Sequence, residues 1–164
     1  MATDKHKFTE NLSTLERELQ RSKDEFIKEH CFKYGKEGYP PAWKIVELVS
    51  FGCLTKLYFN FSDTTIKKKI ARSYGVPQHE MLESWMKAVN ALRNACAHHE
   101  RIWNRVMPVI PQLPATLRNT WITDKPQMAN RFYAVFCCLI YWLNAIEPEN
   151  TLVQDFKSLL QEFP

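Results

Sequence analysis

Wound as an α-helix, the stretch from Ala91 to Arg105 divides into two unlike halves, and a chain holding such a stretch must build its fold against one of them. Side chains step by about 100° per residue around a helix axis. With Arg93 as zero, Asn104 falls near 20°, Arg101 near 80°, Asn94 near 100°, Arg105 near 120° and His98 near 140°, on a wheel of about 3.6 residues per turn. Leu92, Trp103 and Cys96 lie opposite, joined upstream by Trp85 and Val89, and read as the core side. The pattern predicts one long central helix from Pro77 to about Arg105. Lys87 and Asn90 prolong the polar stripe upstream. The stripe is cationic and amide-rich with no acid in it, whereas an ordinary solvated face mixes both signs.

A face of that kind suits phosphate. A histidine exchanges a proton near neutral pH, and an arginine grips a phosphate through paired hydrogen bonds while offsetting charge that develops in a transition state. Together they fit RNA cleavage by attack of the ribose 2′-hydroxyl on the adjacent phosphate, which requires no metal. Arg93 and His98 stand about 7.5 Å apart along the axis, a gap that a guanidinium arm closes. Asn94, four residues before His98, is placed to orient the imidazole. His99 falls on the apolar side and reads as a structural residue. Adjacent histidines cannot share a helical face, so the pair is a poor metal site.

Arg93-Asn94-x-x-x-His98 resembles the signature of HEPN domains. The longer string Leu92-Arg93-Asn94-x-Cys96-Ala97-His98-His99-x-Arg101-x-Trp103-Asn104-Arg105 is similar to the bacterial abortive-infection, or Abi-like, branch of that superfamily. The likeness extends upstream through Tyr39-Pro40-Pro41-Ala42-Trp43, Glu47-x-x-Ser50-Phe51-Gly52 and Leu54-x-Lys56-Leu57-Tyr58, and spans Phe26 to Pro111. The resemblance implies an all-α, HEPN-like bundle of five to six helices in a single domain over residues 1–164, without the N-terminal portion such proteins usually carry. It further implies a metal-independent endoribonuclease of an abortive-infection (phage defence) or toxin–antitoxin system, without a cofactor, acting on RNA as a homodimer whose signature helices share a cleft. An antitoxin or a phage-derived trigger would regulate it. In that reading Arg93, Asn94 and His98 are catalytic, and Lys87, Asn90, Arg101, Asn104 and Arg105 bind RNA or support the site. The alternatives are a non-catalytic RNA- or protein-binding module and an inactive remnant.

Composition agrees with a helical core: 45% of the 164 residues are hydrophobic, and only four are glycine. The net charge of +4 permits a polyanionic partner without requiring one. Cys31, Cys53, Cys96, Cys137 and Cys138 lack Cys-x-x-Cys spacing and read as mostly buried, reduced thiols. The charged N-terminus has no secretory h-region, and the longest apolar run, Phe132 to Leu143, is short of the roughly 20 residues a bilayer span needs, so a cytoplasmic protein is expected.

Around the central helix, the pattern predicts a charged helix over residues 5–33 and a buried one over Ala42–Phe59, with Gly52 as a helix-crossing point and Glu47 either solvated or paired with the stripe. A short helix over Thr64–Tyr74 should end at Gly75. Its Lys67, Lys68, Lys69 and Arg72 make a solvated basic face or an RNA track. A proline-rich loop over 106–126, with Arg118 and Asn119 as weak candidates, precedes helices at Gln127–Ile146 and Glu149–Glu162.

Overall fold

The computed structural model describes residues 3–35, 38–117 and 129–162. These form eight α-helices and no strand beyond an isolated bridge between Val106 and Arg131. The chain gathers into two compact units, Met1–Asp63 and Thr64–Pro164.

In the first unit, the charged helix expected over 5–33 is two helices, α1 (Lys5–Arg21) and α2 (Glu25–Tyr34). The break comes from capping: the Asp24 carboxylate accepts from the Ile27 N–H at 3.3 Å, and its own N–H donates to Ser22 Oγ at 3.1 Å. Such local bonds compete with helix continuation. The helix expected from Ala42 to Phe59 is likewise divided, into α3 (Ala42–Leu48) and α4 (Phe51–Phe59), because Ser50 caps the second piece through the Cys53 N–H. Gly52 therefore stands in a first turn, where a helix-interior penalty does not apply. The expectation of a wholly buried helix fails as well. No residue of α3 is buried, Trp43 and Val46 are exposed, and Glu47 pairs with Lys44 at 3.3 Å.

Helices α1 and α4 hold this unit together. Leu15, Val49 and Cys53 form its buried cluster, with Leu19, Ile45, Leu54 and Leu57 packed on it. Glu18 accepts from both the N–H (2.7 Å) and the hydroxyl (3.1 Å) of Ser50. At the other end, buried Asn60 accepts from the Asp4 N–H and donates to the Asp4 carbonyl, both at 3.0 Å.

The second unit is built on α5 (Thr64–Ser73), α6 (His79–Ala97), α7 (Phe132–Ile146) and α8 (Leu152–Glu162). Trp85, fully buried on α6, sets its ring edge-on to Tyr141 and Trp142 of α7, and its indole N–H donates to the Gln112 carbonyl at 2.7 Å. Ala88, Leu92, Met107 and Val135 make the adjoining cluster. The buried part of α7 is Ala134–Cys138 and Tyr141, while Leu139, Ile140 and Leu143 are half-buried. Cys53, Cys137 and Cys138 are buried, but Cys31 and Cys96 are exposed; all five thiols are free. Burial pushes the Cys137 and Cys138 thiols up, away from the reactive thiolate. Lys67, expected on a basic face, is instead buried and paired with Glu83 of α6 at 2.9 Å.

Helix α5 ends as expected. Gly75 takes φ +71°, with its N–H bonded to the Arg72 carbonyl and the Val76 N–H to the Ala71 carbonyl, the paired bonds of a Schellman motif. A Cβ there would sit 2.9 Å from the hydroxyl oxygen of Tyr141, whose O–H donates to the Gly75 carbonyl at 2.9 Å. Gly75→Ala is therefore expected to destabilise the protein by about 2 kcal/mol, measurable by urea unfolding, because left-handed strain and a displaced ring add together.

Candidate functional site

Helix α6 is amphipathic along its length, with Met81, Leu82, Trp85, Ala88, Leu92 and Ala95 buried. Lys87, Arg93 and Asn94 are exposed on the opposite side, and Asn90 is half-buried between them. The helix does not run to Arg105. It stops at Ala97, with His98 as the C-cap at φ −95° and His99 left-handed at φ +54°. The His99 N–H bonds the Cys96 carbonyl at 3.1 Å and the Glu100 N–H bonds the Ala95 carbonyl at 2.9 Å, the same Schellman pairing that ends α5.

The sequence explains the stop. A further turn would drive His99 to the core side beside Leu92, and burying an imidazole without a partner is costly. Leaving the helix puts His99 into solvent and lets Ile102 and Met107 return to the core cluster. Histidine is among the few non-glycine residue types enriched in the left-handed region. His99 is thus an exposed helix terminator, not the apolar-side structural residue expected. Glycine holds the left-handed position at lower cost, so His99→Gly is expected to raise unfolding stability by about 1 kcal/mol in urea titration.

Beyond the helix, the wheel no longer assigns faces. Arg101, Asn104 and Arg105 leave the stripe for a folded loop, in which Asn104 is also left-handed at φ +55°. The Arg101 guanidinium donates to the Trp103 carbonyl at 3.1 Å, and Arg131 donates to the Asn104 carbonyl at 2.8 Å. Arg105 forms an ion pair with Glu100, so an acid does enter this region and offsets one of its cations. That bond holds the Glu100 carboxyl below the usual carboxylate range. A depressed carboxyl keeps its clip at neutral pH and loses it as the pH falls through the lowered value. Met107, its N–H bonded to the Asn130 carbonyl at 2.8 Å, anchors the loop in the core.

Of the three residues expected to be catalytic, all are exposed, with Arg93 and Asn94 in the last turns of α6 and His98 at its cap. Asn94 Oδ1 accepts from the Arg93 guanidinium at 3.2 Å. Among the described residues none hydrogen-bonds the His98 imidazole, so within one chain Asn94 orients the arginine rather than the histidine. Cys96 and Trp103, placed on the core side by the wheel, are exposed. Arg131 and Glu100 were not among the expected residues; both act through bonds across the loop that spacing does not reveal. Arg118 and Asn119 lie outside the described residues.

The described architecture is an all-α protein with an exposed arginine, asparagine and histidine at one end of its longest helix. The family model of the Abi-like proteins matches residues 1–104, well over half of the chain and all three of these side chains. The chain belongs to the Abi-like family. The match begins upstream of Phe26, where the motif-by-motif likeness starts. No curated protein and no solved structure matches the chain. Among the described residues no helix is long and apolar enough to cross a membrane.

Proposed function

We propose that this protein acts in abortive infection, or in a toxin–antitoxin pair, as a metal-independent endoribonuclease. The observation that carries the reading is the exposed Arg93–Asn94–His98 grouping at the end of α6 in a member of the Abi-like family. Arg93, steadied by Asn94, grips the non-bridging oxygens of the scissile phosphate and offsets the charge that builds there. The 2′-oxygen then attacks phosphorus and the 5′-oxygen departs, leaving a 2′,3′-cyclic phosphate and a 5′-hydroxyl. His98 takes the proton of the attacking hydroxyl or returns one to the leaving oxygen.

A single imidazole cannot complete both transfers in one step. Two copies facing across a shared cleft supply one for each, which gives homodimerisation a chemical motive. Lys87 and Asn90 extend the phosphate-facing side along α6. Arg101 and Asn104 sit in the loop beyond, and Arg105, already paired with Glu100, serves that loop more than the RNA.

The test is incubation of the purified protein with mixed RNA in excess EDTA. Cleavage leaving cyclic phosphate ends is expected. Cleavage that depends on a divalent ion rejects the mechanism, and RNA binding without cleavage makes the protein a binding module.

A further inference from the structure

Trp103 is the exposed aromatic side chain nearest in sequence to the candidate site. Five residues after His98, it is 69% exposed, and among the described residues its indole has neither a hydrogen bond nor a ring contact. A large ring left in water on an anchored loop is free to meet a partner, and tryptophan, apolar in body with a polar N–H, suits such contacts. The loop around it is fastened by its backbone rather than by the ring: Arg101 holds the Trp103 carbonyl, Arg131 holds the Asn104 carbonyl, and the Arg105 N–H bonds the Ile102 carbonyl at 3.2 Å. Neither Asn104, at φ +55°, nor the turn draws on the indole for its conformation.

The surroundings say what the partner is. Arg101, Arg105 and Arg131 fall within the loop and its anchor, and Arg93 lies on the adjoining helix end; against them stands Glu100, spent on Arg105. An exposed aromatic face amid a surplus of guanidinium groups matches the requirement of single-stranded nucleic acid. There, cations follow the backbone and rings stack on bases. A base held in a duplex offers no free face to such a ring.

Resting on the ribonuclease reading above, we infer that Trp103 is a stacking platform for an unpaired nucleobase next to the scissile phosphate. It thereby selects single-stranded RNA over duplex. Stacking on the indole fixes the nucleotide while Arg93 grips its phosphate. Trp103 is a specificity-determining residue in this arrangement and moves no proton.

The experiment uses the full chain carrying His98→Ala, so that RNA is not consumed, with and without Trp103→Ala or Trp103→Phe. Fluorescence anisotropy reports binding of a labelled oligouridylate and of a self-complementary duplex of equal length. Trp103→Ala is expected to weaken oligouridylate binding by about 10- to 100-fold, to leave the duplex unchanged, and to be largely rescued by Trp103→Phe, since one base stacked on an aromatic ring is worth roughly 1–3 kcal/mol. Equal losses on both RNAs, or none on either, overturn the inference. So does a fall in dimer mass by analytical ultracentrifugation with affinity per dimer intact, which makes the indole a protein seam. Cleavage by the chain with His98 in place is scored separately, so the ribonuclease reading survives a failure of stacking.

Discussion

His98→Ala is expected to cut the rate of RNA cleavage by about 10²- to 10⁴-fold, the usual worth of a positioned general acid or base, while leaving RNA affinity near that of the unaltered protein. The imidazole is exposed at the end of α6, and its backbone N–H, bonded to Asn94, survives substitution, so the loss would not reflect misfolding. Arg93→Ala is expected to lose about 10²- to 10³-fold in rate and also to weaken binding, because one group contributes to both charge stabilisation and phosphate contact. Lysine at position 93 restores charge without the paired donors and should recover binding better than rate. Single-turnover cleavage set beside equilibrium binding at fixed salt separates these outcomes. A His98→Ala protein that cleaves normally removes the histidine from the chemistry.

The second large effect concerns stability. Trp85 is fully buried, meets Tyr141 and Trp142 edge-on, and donates its N–H to Gln112. Trp85→Ala is expected to cost about 3–5 kcal/mol through the cavity it leaves. Trp85→Phe fills part of that space but strands the Gln112 carbonyl, a loss of about 1–3 kcal/mol. Urea unfolding followed by circular dichroism measures both. A loss under 1 kcal/mol for the alanine variant would show that the centre of this unit lies elsewhere.

Helical class, the apolar side of α6 through Leu92, the exposure of Arg93 and Asn94 opposite it and the glycine end of α5 were all legible in the sequence, because periodicity and spacing within one helix are local properties. The breaks were not. Asp24 and Ser50 each stop a helix by binding a backbone N–H three residues on, and an apolar pattern running past a capping residue looks continuous. The end of α6 was hidden for a different reason: a histidine, not a glycine, takes the left-handed position, and wheel arithmetic carried past it placed Trp103 on the wrong side. Lys67 was misread because its partner, Glu83, is sixteen residues away on another helix.

The matched residues and the folded body do not share a boundary. The family-model match stops at residue 104, but Met107 and Val135, which close the cluster against Ala88 and Leu92, and Tyr141, which covers Trp85, all come later in the chain. A fragment cut at that boundary keeps Arg93, Asn94 and His98 yet strips the hydrocarbon wall from the helix that leads to them. Such a truncation should aggregate rather than report on the motif, so the minimal working piece must reach through α7.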